Sequence, residues 1–160
     1  MQSVTVICVG KLKEAYWRDA AAEYCKRLGA FCKIAVTEID EERLPQNPSQ
    51  AQIDAGMEAE GKRILAALPE NCCHVAMDIE GKRFDSPQLA EYIAAQGLAG
   101  CSHIVFTIGG SLGLADAVKK SADLRLSFSP LTFPHQLFRL MLVEQIYRAL
   151  KINRGEQYHK

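Results

Sequence analysis

Long apolar runs are missing from the 160-residue sequence, and none approaches the roughly 20 residues that a membrane-spanning helix needs. The N-terminus carries one short apolar run, and the small-residue cleavage pattern of a secretory signal does not follow it. These absences predict a soluble, cytoplasmic protein with no membrane partner. At this length a single domain, residues 1–160, can bury a core without disulfides or a metal.

Closely spaced metal ligands are also missing. Six cysteines are scattered along the chain, with one vicinal pair and no C-x-x-C. A zinc site needs paired ligands at short spacing, and four of these cysteines lie in apolar strand or helix patterns. The pattern is typical of reduced core thiols, so we expect no metal.

The chain has no net charge, with 19 basic and 19 acidic side chains. Because phosphate binding is largely electrostatic, this balance argues against tight binding of free nucleic acid. The charge is unevenly distributed, however: residues 118–160 carry eight Lys or Arg and three acids, a balance of +5, and residues 1–117 therefore carry −5. This asymmetry is a weak indication of an anionic partner at the C-terminal part, and a solvated helix face explains it nearly as well.

Two nucleotide-binding fingerprints are absent. The first apolar run ends in Gly10-Lys11-Leu12-Lys13, which lacks the second glycine of the dinucleotide-binding G-x-G-x-x-G pattern. The P-loop pattern G-x-x-x-x-G-K-[ST] does not occur either. The glycines cluster instead at Gly109–Gly113, after a much later apolar run. These patterns argue against a Rossmann dehydrogenase and against ATP or GTP hydrolysis.

Apolar runs alternate with helical patterns along the chain. The spacing predicts strands near 3–9, 31–39, 74–79, 104–108 and 124–128, and helices near 13–28, 48–68, 86–96, 114–122 and 136–152. This alternation predicts an α/β fold with a mainly parallel five- to six-stranded sheet and helices on both faces. The last helix is apolar on more than one face, which favours a two-fold homodimer.

Two loops that follow strands form the candidate ligand site. The fourth strand ends at Gly109-Gly110-Ser111-Leu112-Gly113, where glycines let a ligand approach the main chain closely. The fifth leads into Ser129–Pro134, which mixes apolar side chains with main-chain donors and acceptors. Loops after two neighbouring parallel strands would meet at one sheet edge, where open α/β sheets bind ligands. They would suit an adenosine-like group, with Met77 as a third side; a tight turn and an ordinary buried loop are the alternative.

Several segments together resemble the RlmH family, the small single-domain SPOUT methyltransferases: Gly109–Gly113, Leu126–Ser129, Thr132–Gln136, Glu144–Ala149 and Arg154–Lys160. The similarity covers the full length and is densest in the C-terminal third. The resemblance implies a SPOUT-type fold with a C-terminal trefoil knot that forms the cofactor pocket. It also implies a homodimer that uses S-adenosyl-L-methionine to methylate N3 of a pseudouridine, of the position 1915 type, in 23S rRNA.

The resemblance also assigns site residues by position. Cofactor contacts fall on Met77, where the family often has leucine, and on Gly109, Phe128, Ser129, Pro130, Leu131, Thr132 and Phe133. The C-terminal tail supplies three catalytic candidates. His159 is the expected base, because imidazole exchanges protons near neutral pH. Arg154 is the expected charge stabiliser or phosphate anchor, and Tyr158 would stack on a base or hydrogen-bond to it.

Two other functions stay open from the sequence. One is a SPOUT enzyme that acts on transfer RNA, and the other is a non-catalytic, ribosome-associated module that binds an adenosine ligand. The near-neutral charge and the lack of an added RNA-binding domain predict that the protein needs the shape of the assembled ribosome.

Overall fold

The computed structural model describes residues 1–159, which form a five-stranded sheet covered by helices on both faces. All strand pairings in the sheet are parallel, and the strand order is β2-β1-β4-β3-β5. The α/β class is confirmed, with five strands. The elements are β1 (Ser3–Val9), α1 (Ala15–Leu28), β2 (Lys33–Ile39), α2 (Gln50–Ala67), β3 (Cys73–Arg83), α3 (Ser86–Leu98), β4 (His103–Ile108), α4 (Asp116–Ser121), β5 (Leu124–Ser127) and α5 (His135–Asn153).

The prediction that β4 and β5 are neighbours is wrong. β3 lies between them and pairs with both. Strand order depends on how the crossover helices pack against the sheet. The sequence of a short apolar strand does not show which other strand it pairs with. The candidate loops therefore lie at an edge formed by three strands, β4, β3 and β5, and not by two.

Each face of the sheet has its own core, because successive side chains of a strand point to opposite sides. In β1, Val4 and Val6 pack with buried residues of α1, α3 and α5, whereas Ile7 and Val9 pack with buried residues of α2 and α4. Both faces of the central strands are therefore buried. This explains why these strands are almost continuously apolar in sequence.

Two of the helices, α2 and α3, start at reciprocal side-chain caps. Asp85 caps α3 as predicted, with Pro87 in the first turn and Gln88 bonding back to the Asp85 N–H. The predicted cap at Asn47-Pro48 is wrong, because α2 begins after Ser49. Ser49 accepts from the Gln52 N–H while the Gln52 side chain accepts from the Ser49 N–H, so two otherwise unpaired donors are satisfied.

β3 runs further than its apolar pattern indicates. Glu80-Gly81-Lys82 was predicted to close the strand, but β3 continues to Arg83 through an irregularity that shifts its pairing with β5 between Met77 and Lys82. A Cβ on Gly81 would lie 2.6 Å from the carbonyl carbon of Arg125, so the two backbones touch there. Such a bulge bends the strand and redirects the side chains beside it.

The cysteines depart in part from the predicted set of six reduced thiols. Cys73 at the start of β3 and Cys101 just before β4 form a disulfide contact, while Cys8, Cys25, Cys32 and Cys72 are free. The two paired cysteines are 28 residues apart, so local spacing gives no sign of the contact.

Neither a membrane helix nor a metal cluster is found between Met1 and His159. In that range no helix has the length and apolar character needed to cross a bilayer. No group of three or more His, Cys, Asp or Glu side chains in the same range is placed to hold a metal ion. The C-terminal trefoil knot stays a prediction.

Candidate functional site

A cavity of about 320 Å³ lies at the edge of the sheet where β4 and β5 end and where β3 leaves its regular pairing after Met77. Its volume is at the lower end of the roughly 300–1,000 Å³ typical of small-molecule sites. The two candidate loops meet there, together with the bulge of β3. Seven of the predicted cofactor residues line the cavity: Met77, Gly109, Phe128, Ser129, Leu131, Thr132 and Phe133.

Pro130 is the predicted cofactor residue that does not line the cavity. The Ser129 hydroxyl accepts a hydrogen bond from the Leu131 N–H at 2.9 Å, which closes a tight turn around Pro130. Pro130 is exposed on this turn. Its rigid ring restricts the loop conformation without contributing to the wall.

The glycine loop after β4 folds back on itself. A Cβ on Gly109 would lie 2.6 Å from the carbonyl carbon of Gly113, and the Gly113 N–H donates to the Gly110 carbonyl at 3.0 Å. Gly113 has φ of +84°, in the left-handed region that favours glycine. The loop is therefore a tight turn that also lines the cavity. The sequence had offered the tight turn and the ligand-site loop as alternatives.

Aromatic rings form a further part of the wall. Phe138 of α5 packs against Phe128 at 5.1 Å and against Phe133 at 6.4 Å between ring centroids. Two aliphatic side chains that also line the cavity, Ile79 and Leu131, are 48% and 67% exposed. An apolar ring with polar edges would find both flat contacts and nearby main-chain groups here.

Asp78 is the buried anion of the cavity wall. Its carboxylate accepts from Arg125 Nε at 2.8 Å and Nη2 at 2.6 Å, and from the Glu80 N–H at 3.1 Å, while Lys119 Nζ lies 3.8 Å away. Burial raises the pKa of the Asp78 carboxyl, but the bonds from Arg125 and Glu80 and the charge of Lys119 lower it more. The net pKa lies below its ordinary value, so the group is an anion at neutral pH.

Sequence reasoning missed three titratable residues of the cavity: Asp78, Lys119 and His135. Asp78 follows Met77 directly, and His135 follows the Phe133-Pro134 pair, so proximity to predicted residues could have indicated both. Lys119 comes from α4, and no motif marks it. Its position depends on how α4 packs beside the ends of β3 and β4.

The C-terminal tail does not line this cavity in the described part of the same chain. α5 begins at the cavity with His135 and runs for 19 residues, or roughly 28 Å at 1.5 Å per residue. Arg154 then donates to the Ala30 carbonyl at 3.1 Å, with its guanidinium 4.1 Å from the Phe31 ring centroid. Ala30 and Phe31 precede β2, so Arg154 lies at the opposite edge of the sheet.

The last residues fold back along α5. The Tyr158 hydroxyl donates to Glu144 at 3.0 Å, and its ring packs edge-on against Tyr147 at 5.0 Å. Burial raises the pKa of Tyr158 to about 12, with hydrogen bonds to Tyr24 and Glu144 adding to the effect. Tyr158 is therefore a protonated anchor for the tail.

His159 reaches a second cavity of about 760 Å³. Its Nδ1 lies 3.3 Å from Arg148 Nη1, and the second cavity shares Leu126 and Phe128 with the first. His159 is therefore near the cofactor cavity without entering it. Lys160, the last residue of the predicted tail motif, lies outside the described residues.

Comparison with known proteins decides the family. The model described as "Predicted SPOUT methyltransferase" matches residues 2–159. The chain belongs to the SPOUT methyltransferase family. It is an enzyme of the methyltransferase class, and the resemblance noted from the sequence is confirmed.

Full-length relatives share about half of the residues. The methyltransferase is 52% identical over 160 residues to ribosomal RNA large subunit methyltransferase H of Bifidobacterium adolescentis, covering 98% of this chain and 99% of the relative. The protein of the same name from Clostridium acetobutylicum is 49% identical over 158 residues, covering 99% of each chain. A solved probable methylase family protein from Haemophilus influenzae Rd KW20 aligns with TM-score 0.56 and 11% identity over 99% of this chain and 71% of that chain, which shows a shared fold.

The close approach at Gly109 leads to a prediction about ligand binding. Gly109→Ala should weaken cofactor binding by roughly tenfold or more, because the added methyl group must displace the Gly113 backbone that forms the wall. Gly97→Ala in α3 is the matched control, since its Cβ would meet nothing closer than Gln2 Nε2 at 3.7 Å. Calorimetric titration of both variants measures the effect. Unchanged cofactor affinity in Gly109→Ala would show that the glycine loop is not part of the cofactor site.

The Asp78 cluster leads to a prediction about stability and pH. Asp78→Asn should lower the free energy of unfolding at neutral pH by about 2 kcal/mol, because Arg125 and Lys119 lose their anion. Since the folded-state pKa of Asp78 is depressed, its contribution is complete above the unfolded-state pKa and disappears as pH falls through the folded-state value. Urea denaturation across the acid range should show the two proteins converging. The exposed Glu91→Gln change is the control, and a difference between wild type and Asp78→Asn that persists in acid contradicts the assignment.

Proposed function

We propose that the methyltransferase is a single-domain, cytoplasmic enzyme that acts as a homodimer. It transfers a methyl group from S-adenosyl-L-methionine to N3 of a pseudouridine in 23S rRNA of the assembled ribosome. The observation that carries the proposal is the cavity beside the ends of β4 and β5 and the middle of β3, which is lined by the glycine loop and by aromatic rings. The names of the full-length relatives support large-subunit ribosomal RNA as the substrate class.

The residues of the cavity fit the proposed cofactor. Phe128, Phe133 and the aliphatic Leu131 offer apolar surface to an adenine ring, and the main chain at Gly109 is accessible because no side chain covers it. Asp78 and Lys119 supply one anion and one cation for the polar parts of the ligand. When bound, S-adenosyl-L-methionine supplies a methyl group activated by a positively charged sulfur.

Methyl transfer to a ring nitrogen requires little covalent assistance from the protein. The enzyme must hold the nitrogen in line with the methyl group, and this positioning can supply most of the acceleration. The N3 proton must also leave, and negative charge then develops on the neighbouring ring carbonyls. A guanidinium such as that of Arg154 would stabilise this charge. Tyr158 and His159 would orient the pseudouridine ring, and His159 is also the proton acceptor that the sequence indicates.

The position of the tail supports a site shared between two subunits. In its own chain Arg154 lies at the sheet edge opposite the cavity, with α5 between them. This position favours a tail that reaches the RNA base from the partner subunit. The second cavity shares Leu126 and Phe128 with the first, and its volume of about 760 Å³ can hold side chains of a partner. This arrangement explains why so small a chain would have to pair.

The proposed function is tested by label transfer. The protein is incubated with S-adenosyl-L-methionine carrying a radiolabelled methyl group and with assembled ribosomes, naked 23S rRNA or transfer RNA. We expect label in 23S rRNA from ribosomes, at a pseudouridine N3 identified by mass spectrometry, and weak labelling of naked RNA. Label on transfer RNA alone would show that the substrate is transfer RNA and not 23S rRNA. Cofactor binding without label on any RNA would indicate a non-catalytic module.

A mixed-dimer experiment tests the shared site. Deletion of residues 154–160 should leave cofactor affinity within a few-fold and abolish methylation. Gly109→Ala should be nearly inactive when the cofactor concentration is kept well below the raised Kd of its cavity. Mixing the two should restore activity, because one site of the mixed dimer then combines an intact cavity with the partner's intact tail. A tail that acts on its own cavity gives no recovery. Size-exclusion chromatography with light scattering verifies the dimer in each sample.

A further inference from the structure

Removal of the N3 proton needs an acceptor beside the cofactor cavity. Three titratable side chains among residues 1–159 line that cavity, and each comes from a different element: Asp78 from β3, Lys119 from α4 and His135 from α5. Methylation of a ring N–H would be slow without such an acceptor, because the nitrogen lone pair becomes available only when the proton leaves.

Asp78 and Lys119 are poorly suited to accept the proton. The Asp78 carboxylate is already engaged by Arg125 and by the Glu80 N–H, with Lys119 nearby, and taking up a proton would break this cluster. The Lys119 ammonium has three donors and no lone pair. Both side chains therefore serve better as fixed charges than as a base.

His135 has the freedom that the other two lack. It is the first residue of α5, and within residues 1–159 its ring makes no side-chain hydrogen bond, in contrast to His74, His103 and His159. Its Nε2 lies 3.9 Å from the point where a Cβ on Gly10 would be. The ring therefore occupies space that a side chain at Gly10 would restrict, and one imidazole nitrogen can accept a proton.

The charges around His135 come from β2 and the loop after it, from β3 and α4, and from α5 itself. Glu41, in the loop after β2, has its Oε2 3.6 Å from the same Gly10 Cβ position. Glu38 of β2 is paired with Arg139, one turn along α5, at 2.8 Å, and Arg139 also donates to the Gly10 carbonyl at 2.9 Å. Asp78 and Lys119 line the same cavity as His135. The buried Arg139 thus holds the start of α5, and with it His135, against the end of β1.

We propose that His135, from the chain that forms the cavity, is the catalytic residue that accepts the N3 proton, in place of His159. The assignment rests on the proposed function and adds the base to it. As the N3–H bond breaks, the proton moves to an imidazole nitrogen of His135 and the N3 electron pair forms the bond to the methyl carbon. The carbon–sulfur bond breaks with its electrons remaining on sulfur, which becomes a neutral thioether. The proton then leaves to solvent.

Two histidine variants, His135→Gln and His159→Gln, separate the alternatives. The initial rate of methylation of assembled ribosomes is measured from acid to neutral pH at saturating cofactor. Wild type should lose activity in acid, because a protonated imidazole has no lone pair. His135→Gln should lose roughly 10²- to 10⁴-fold in kcat together with this acid limb, while cofactor Kd stays within a few-fold. His159→Gln should raise KM for ribosomes and keep the acid limb.

A second measurement protects the test against a folding defect. His135→Ala, which opens space beside Gly10, should regain part of its activity when free imidazole is added, and the gain should rise with pH. Matching circular dichroism and cofactor Kd establish that each variant is folded.

The outcomes distinguish the two proposals. An unchanged acid limb in His135→Gln, or its loss in His159→Gln alone, overturns the assignment to His135 while the methylation reaction stands. Absence of label on ribosomes with wild type overturns the proposed function and the assignment together.

Discussion

Direct contact between backbone segments is the constraint on which the site depends. At the end of β4 the chain turns so tightly that Gly109 touches the Gly113 backbone, and beyond Met77 the bulge of β3 brings Gly81 against the Arg125 backbone. A Cβ at either glycine would lie 2.6 Å from a carbonyl carbon. β3 lies between β4 and β5. The Gly109 contact therefore lies on the β4 side of β3, and the Gly81 contact lies on its β5 side. The cavity lies between the loop after β4 and the loop after β5.

The same bulge links the fold to the electrostatics of the site. It places Asp78 where Arg125 of β5 and Lys119 of α4 converge on one carboxylate. A buried carboxylate alone would be costly, and here several donors offset the loss of hydration. The cluster connects β3, β5 and α4 beside the cavity. A change in any of its members would thus alter both stability and the wall that contacts a ligand.

Local pattern predicted the elements well and their arrangement poorly. The five strands and five helices follow from periodicity, and the cap at Asp85 follows from short-range hydrogen bonding. The order of the strands depends on crossovers between distant segments, so β3 could not be placed between β4 and β5. The continuation of β3 past Glu80 was missed for a similar reason, since the bulge is stabilised by β5, more than 40 residues later in the chain. The loop residues of the cavity were found because glycine and proline mark them. His135 and Lys119 were missed because they reach the cavity through the packing of α5 and α4.

The geometry of α5 separates two tasks that one small chain has to perform. The helix begins at the cavity with His135 and ends near Arg154 at the far edge of the sheet, and the tail is then held against the helix by Tyr158 and Glu144. With the pKa of Tyr158 raised to about 12, this anchor stays protonated over the range in which enzymes work. These contacts hold the tail against α5, whereas the His135 ring makes no side-chain hydrogen bond within residues 1–159. In the proposed dimer, a chain arranged in this way keeps the proton acceptor beside its own cofactor cavity and leaves the recognition of RNA to the tail of the second copy.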